Sequence, residues 1–469
     1  TRACDVAPLS SAAWALLARA SECLGKTSDA VAQYLKAIEL GPKNTAALSK
    51  LGNLLGSQGQ FAEAEKYLSA ACQLAPEEPQ LQFNYANALQ HLGQLDAAKV
   101  RYSAAIKLAP NMAAAHFHLG QINAQQDNHV EAISNFDAVL TINPNDDRAK
   151  VQQLHQMAHN NDWRWSNDYH QHRRHLGLRG TGCSPISMLS LEDNPDLLRL
   201  RTHAFAEQHF GDIAPSLPAR TSQRPGRLRI GYFSTDFRAH TTKNHLGGLL
   251  AQHDHSRFDI IAYSCGPNQQ DGAPTQPQHS LPQLREMQNA SNASIVAAAQ
   301  ADQLDIAVEL GGYSPGNRSA LFASRLAQLH MSYPGHPGTM GTAAFDYLIG
   351  DHTVCPPGSE RYYVEHLLRM PHSFQLNDDQ RTVSSRQFTR KSCGLPDNAF
   401  VFSCFNNSGK ITAQAFDIWM RLLAQIDDSV LWLLRSNDRS QSNLQREAKA
   451  RGIDPCRLIF ADRMPQPEH

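Results

Sequence analysis

The sequence predicts an α-helical repeat array followed by an α/β region of parallel, doubly wound sheets, and three observations carry that prediction. A 34-residue period runs through the first third of the chain. The period then fades through a His-rich stretch and a polar linker, PSLPARTSQRPGR. Beyond the linker, short apolar runs alternate with helical segments. A chain of 469 residues exceeds what one core supports, so roughly two to four domains are expected.

The period is read most easily from Pro42, Pro76, Pro110 and Pro144, each 34 residues from the next. Gly25, Gly59, Gly93 and Asp127 keep the same step at turns. So do Ala30, Ala64, Ala98 and Ala132, and the small residues Ala18, Gly52, Ala86 and Gly120. Small residues where two helices cross, a turn between them and a closing proline make the pattern of a tetratricopeptide repeat. Four units are expected over residues 9–144 as a right-handed superhelix, since each unit buries its apolar face only against a neighbour. Leu40, Leu74, Leu108 and Ile142 are expected in that continuous core.

Residues 145–226 read as a helical linker, with the boundary near 226. After it come LRIGYFS, FDIIAYSC, DIAVELGG and FDYLIGD, then FVFSCF, SVLWLLR and RLIFAD. Apolar strands alternating with helices imply parallel sheets, with ligands held at the carboxyl ends of the strands. The domains expected are 1–144 repeats, 145–226 linker, 227–385 first α/β lobe and 386–469 second α/β lobe.

Charge narrows the function classes. Lys plus Arg number 43 against 44 Asp plus Glu, so the chain lacks the positive field that nonspecific nucleic-acid binding uses. No run approaches the roughly 20 apolar residues of a membrane helix, and no basic amphipathic helix points to a membrane surface. Nine scattered cysteines without a CxxC pair fit free thiols in a reducing compartment. No targeting segment is visible, and a cytoplasmic setting is expected. The 22 histidines, His170 and His172 among them, lack a Cys or carboxylate cluster, so no metal is expected.

RLRIGYFSTDFRAHTTKNHLGGLL, GGYSPGNRSALFASR, YPGHPGTMGTAAFDYLIGD, YYVEHLLRMPHSF and FSCFNNSGKITAQAFDIWMRLL, taken in order with the repeats, resemble the O-linked N-acetylglucosamine transferases. The resemblance implies two facing Rossmann-like lobes of the GT-B type, the second incomplete in this chain. It implies a nucleotide sugar in the cleft, no metal or other cofactor, and inversion at the sugar carbon. The expected donor is UDP-N-acetylglucosamine and the expected acceptors are Ser/Thr of proteins. Relatives that move glucose to Asn, or fucose, keep other sugars open. A noncatalytic repeat scaffold and an enzyme acting on lipid or polysaccharide are the rival readings. The resemblance also implies peptide-gripping amides on the concave repeat face, where Lys50, Asn84 and His118 stand. Asn53, Asn87 and Gln121 nearby keep the 34 step.

Inverting transfer needs an oriented acceptor hydroxyl, a route for its proton, and stabilisation of the departing diphosphate. His240 lies in the turn DFRAH after strand LRIGYFS and matches the family's active-site His, as base or orienting donor; imidazole titrates near neutrality, which suits a base. A His that only fixes its loop is the alternative. Lys410 follows FVFSCF just before a helix, where an ammonium and backbone N–H groups can converge on two phosphates. It matches the family's diphosphate-binding Lys, with Asn407 beside it contacting the nucleotide; a solvated helix-start lysine is the alternative. Gly335, His336, Pro337 and Gly338 form a turn whose backbone can approach the donor sugar, because glycine has no side chain. An ordinary structural turn is its alternative.

Overall fold

The computed structural model describes residues 9–179, 182–214, 226–235, 237, 249–250, 252–266, 283–288, 290–314, 316–336, 338–376, 384–464 and 468. Helices come first. α1 (Ser11–Cys23) pairs with α2 (Thr27–Leu40), α3 (Thr45–Ser57) with α4 (Phe61–Leu74), α5 (Pro79–His91) with α6 (Leu95–Leu108), and α7 (Ala113–Gln125) with α8 (His129–Ile142). Each pair is one 34-residue unit. The turn residues Gly25, Gly59, Gly93 and Asp127 all adopt left-handed φ, from +58° to +78°, a conformation glycine takes without strain and Asp tolerates. A β-carbon added to Gly52 would lie 2.6 Å from Leu68 Cγ, and one on Gly120 would lie 2.8 Å from the Phe136 ring. The crossing therefore demands the small residue.

The expected core series is corrected. Leu74 and Ile142 are 41% and 40% exposed, and Leu40 and Leu108 only half-buried. As the last residues of their helices they overhang the solvent side. The core is a different 34-step series, Tyr34, Leu68, Tyr102 and Phe136, backed by Ala37, Ala71, Ala105 and Val139. These sit mid-helix, one turn apart, facing the preceding helix.

The helical region continues through α9 (Asp147–His159), α10 (Arg164–His172), α11 (Pro185–Met188) and α12 (Pro195–His209). Arg201 on α12 is fully buried. Its guanidinium donates to Leu176 O at 2.8 Å, to Arg173 O at 2.7 Å and to the Tyr169 hydroxyl at 3.1 Å. The next turns of α12 put Ala206 and Phe210 into the core of the first α/β lobe.

That lobe is a seven-stranded parallel sheet in the order β3-β2-β1-β4-β5-β6-β7. Its strands are β1 (Leu228–Ser234), β2 (Phe258–Ser264), β3 (Leu284–Glu286), β4 (Leu304–Glu309), β5 (Ala327–Ser332), β6 (Tyr347–Asp351) and β7 (His366–Met370). Helix α13 (Asn292–Asp302) leads into β4. Consecutive Tyr232 and Phe233 point to opposite faces and are both buried, Tyr232 with Ile260 and Val308, Phe233 with Tyr263 and Phe322. Burial on both faces is what a parallel sheet requires.

The second sheet, β8 (Phe400–Cys404), β9 (Ser429–Leu434) and β10 (Leu458–Ala461), is parallel with β9 central. Helices α14 (Ala413–Gln425) and α15 (Asp438–Ala450) pack on it through Phe416, Met420, Leu423 and Leu444. The sequence reading found the apolar strands of both sheets and missed β3, β5 and β7. β5 carries His330, and the other two are short or half-exposed edge strands, so none shows an apolar run.

Candidate functional site

The strand order reverses direction of growth between β1 and β4. Ligands of doubly wound sheets bind outside the carboxyl ends of the strands at such a point. β1, β4 and β5 end side by side there, Phe233 opposite Glu309 and Glu309 opposite Ser332. The loop after β1 carries His240, which lies outside the described residues, as does Pro337.

The loops after β4 and β5 are in close contact. A β-carbon on Gly335 would lie 2.2 Å from Leu310 O, and one on Gly312 would lie 2.3 Å from His336 Cβ. Gly335 is exposed, so its main chain is open to a ligand. The His336 imidazole is buried instead, edge-on to Tyr313 with ring centres 5.2 Å apart. Burial holds it far below the usual histidine range, pushed down to about 4, so it is neutral at pH 7.

Glu309 closes β4 with a carboxylate that accepts from Gly311 N at 3.1 Å and from Gly312 N. Burial pushes its pKa up to about 7, against the pull of those two N–H groups. Sequence reasoning passed over it, although an acid ending an otherwise apolar strand is a readable signal.

On the second sheet, β8 runs into the turn Ser408–Lys410. Asn407 Oδ1 accepts from Gly409 N at 2.9 Å and its carbonyl from Lys410 N at 2.9 Å, so the two predicted residues share one tight turn. Both side chains are exposed. Thr412 caps α14 by accepting from Ala415 N at 3.2 Å, which sets Lys410 two residues before the helix cap. Ammonium, amide and the positive end of a helix dipole thus meet at the carboxyl end of a parallel strand, an arrangement suited to phosphate oxygens. The two predicted groups occupy different sheets and share no hydrogen bond among the described residues.

The Lys410 turn rests on the linker. Asn161, fully buried, donates from Nδ2 to Ser408 O at 2.8 Å and Ile411 O at 3.3 Å, and its Oδ1 accepts from Ser440 Oγ at 2.5 Å. Trp163 Nε1 also donates to Ile411 O, at 3.0 Å, and Ser408 Oγ donates to His159 O at 2.7 Å.

A cavity of about 1200 Å³ lies between the repeat array and the first lobe, lined by His118 and Gln121 on one side and Thr235, Tyr313 and Arg318 on the other. Of the predicted concave-face residues, Lys50 and Asn53 are exposed, Asn84 accepts from Gln80 Nε2 at 2.9 Å, and Asn87 is half-buried. His118 stacks on Tyr102, ring centres 5.5 Å apart. The eight cysteines among the described residues are free thiols. His172 is engaged by Asp168 rather than by His170. Among the described residues, no helix is long and apolar enough to cross a membrane.

Comparison with known proteins matches residues 212–388 and 382–469, more than half of the chain, to the family model "Glycosyl transferase family 41", and residues 16–79 and 86–147 to a tetratricopeptide-repeat model. A probable UDP-N-acetylglucosamine–peptide N-acetylglucosaminyltransferase of Arabidopsis thaliana, SEC, is 30% identical over 258 residues, 54% of this chain and 26% of the relative. A SPINDLY protein of Oryza sativa with the same printed activity is 29% identical over 219 residues, 45% of this chain and 23% of the relative. The matched stretches thus span about a quarter of each relative's length. A solved structure, a mutant O-GlcNAc transferase of Thermobaculum terrenum, shares the fold with a TM-score of 0.54 at 21% identity, over 97% of this chain and 75% of that one.

Proposed function

The chain belongs to glycosyl transferase family 41, and on that premise we propose that it moves one sugar, N-acetylglucosamine from UDP-N-acetylglucosamine, to Ser/Thr of proteins without a metal. The observation that carries the donor half is the Asn407–Lys410 turn at the carboxyl end of β8, two residues before the α14 N-cap, Thr412. In this reading the acceptor hydroxyl oxygen attacks the anomeric carbon as the bond to the β-phosphate oxygen of UDP breaks. Configuration inverts, the hydroxyl proton leaves to a base, and Lys410 with the helix N-terminus takes up charge on the diphosphate. His240 receives or orients that proton. Gly335 offers its main chain to the sugar, with buried His336 beside it and Pro337 next in sequence. Acceptor proteins enter along the repeats, and the printed activities of the plant relatives support this choice of donor and acceptor. The free thiols fit a cytoplasmic setting.

The test is transfer of radiolabelled sugar from UDP-N-acetylglucosamine to a panel of Ser/Thr peptides, run beside UDP-glucose and GDP-fucose. Incorporation from the first donor alone supports the reading. Preference for another donor corrects the sugar, and turnover of none of them favours the scaffold reading.

A further inference from the structure

Three loops at the switch point meet around one buried carboxylate. Glu309, the last residue of β4, is 5% exposed, and it accepts from Gly311 N at 3.1 Å and from Gly312 N. A β-carbon built on Gly311 would have Ser314 Oγ at 3.2 Å, Glu309 Oε1 at 3.4 Å and Thr235 Oγ1 at 4.0 Å. The first residue after β1 and the loop after β4 therefore close on the carboxylate together. Ser319 Oγ donates to Gly312 O at 2.7 Å and ties down the other side of the β4 loop. The loop after β5 rests on it. Gly312 leaves no room for a β-carbon beside His336 Cβ, at 2.3 Å, and Gly335 none beside Leu310 O, at 2.2 Å. The β4 loop thus cannot shift without moving Gly335, whose main chain is exposed.

The carboxylate is held by these N–H groups and by Ser319 rather than by a cation. Two titratable groups sense its charge, Cys265 just after β2 and Tyr313 in its own loop; burial pushes the thiol up to about 12 and the phenol up as well, so both are neutral near pH 7. His336 on the β5 loop is neutral there too. Arg318, beside Ser319, acts on the Cys265 thiol and donates to Ala290 O at 2.9 Å. Glu309 is the member of this cluster that changes charge near neutrality, since burial pushes it up to about 7. Charge-assisted hydrogen bonds are roughly twice as strong as neutral ones, so a proton on Glu309 loosens its hold on Gly311 and Gly312.

We propose that Glu309 is a positioning residue for the donor sugar: its carboxylate holds the β4 loop, that loop seats Gly335, and Gly335 meets the sugar. The sugar is then bound better with Glu309 ionised than with it protonated. The proposal rests on the nucleotide-sugar reading above and adds to it a residue that acts through the loop rather than by touching the donor.

The experiment is calorimetry on the 469-residue chain and on Glu309→Gln, which keeps the size and loses the charge, at pH 8 and pH 6. The probes are UDP-N-acetylglucosamine and the methyl ester of UDP, a sugar-free diester whose diphosphate does not titrate in this range. The parent is expected to bind the nucleotide sugar about tenfold more tightly than the variant at pH 8 and about twofold at pH 6, the ratio that one group titrating near 7 produces. Comparing the two proteins at each pH cancels the other titrating groups, His240 included. The methyl ester should bind both proteins to within roughly twofold, because it lacks the sugar that Gly335 meets. A merely structural Glu309 would weaken both probes alike and at both pH values. Thermal melting checks that the variant folds. The parent alone also carries the test, since its ratio of nucleotide-sugar to methyl-ester affinity should fall about fivefold from pH 8 to pH 6. A parent–variant difference that ignores pH, equal weakening of both probes, or a parent ratio flat in pH overturns the proposal. Methyl ester bound with such a flat ratio sinks this inference alone, whereas failure of the parent to bind the methyl ester sinks the donor reading as well.

Discussion

Asn161 donates to the carbonyl of Ser408 at 2.8 Å, joining residues 247 apart in the chain. The turn that follows the last stacked helix of the array thereby holds the turn that presents Lys410. Asn161 also sits at φ +51°, where Asn is tolerated and most residues are not. Asn161→Ala should cost about 2–4 kcal/mol, because the Ser408 and Ile411 carbonyls and the Ser440 hydroxyl lose their buried partner. Asn161→Gly keeps the backbone freely and loses only the amide, so it should be less harmful by about 1 kcal/mol. Hydrogen exchange reads this directly. The Ile411 amide, bonded to Ser408 O at 3.0 Å, should exchange faster in both variants, and unchanged protection would refute the coupling.

Gly335 is constrained by backbone rather than by a side chain. Its added β-carbon would meet Leu310 O at 2.2 Å and Gly311 C at 2.9 Å, so Gly335→Ala must separate the β4 and β5 loops, at about 2–4 kcal/mol. Gly338→Ala is the matched control, since it meets only the His336 ring at 3.3 Å. Denaturation midpoints should fall clearly for the first and little for the second; equal effects would show that the loops are not in close contact.

His330 is fully buried, its Nε2 accepting from Leu326 N at 3.0 Å and Ala327 N at 3.2 Å while Nδ1 donates to Ala344 O at 2.8 Å. That network assigns the neutral tautomer with the proton on Nδ1. Burial pushes His330 and His336 each down to about 4. The unfolded chain, with histidine near 6.5, binds the proton that the folded chain refuses, so stability falls as pH drops from about 6.5 to about 4 and levels off below that. Each group contributes on the order of 3 kcal/mol over that window at most. Glu309, raised to about 7 by burial, has the opposite sign, because the folded state then binds the extra proton between pH 7 and the usual carboxylate range. Glu365 is raised by burial as well, but burial lowers His118, His155 and His159 besides these two, so the lowered histidines outnumber the raised carboxylates and net proton uptake on unfolding between pH 6.5 and 4 is expected from urea titrations at stepped pH. Net release would contradict the burial of these imidazoles.

Where the sequence was legible, the physics was local. Gly59 and Ala64 repeat because a turn needs left-handed φ and a helix crossing needs a small residue, and both demands recur every 34 residues. The strand LRIGYFS was legible because a doubly covered strand is apolar on both faces. Tyr34 and Phe136 kept the period too, but the helix-terminal leucines masked them as the core series. Asn161 was out of reach, because its burial depends on residues near 408 and 440 and no local pattern carries them; a polar Asn-Asn pair after a helix suggests only a C-terminal cap. His336 misled in the same way. Its Gly/Pro surroundings suggest an open turn, while Tyr313, brought in from the neighbouring strand's loop, covers the ring. His240 and Pro337 lie outside the described residues.

The central claim is that Lys410 and its helix N-terminus hold the diphosphate of a nucleotide sugar in place of a metal. Calorimetry of UDP binding to the parent and to Lys410→Ala, each with and without chelator, tests it most directly. The account predicts that UDP binds the parent equally with or without chelator, and that the substitution weakens binding by about 1.5–3 kcal/mol, as for a charge-assisted hydrogen bond. Unchanged affinity in Lys410→Ala, or binding by the parent that chelator abolishes, would contradict it.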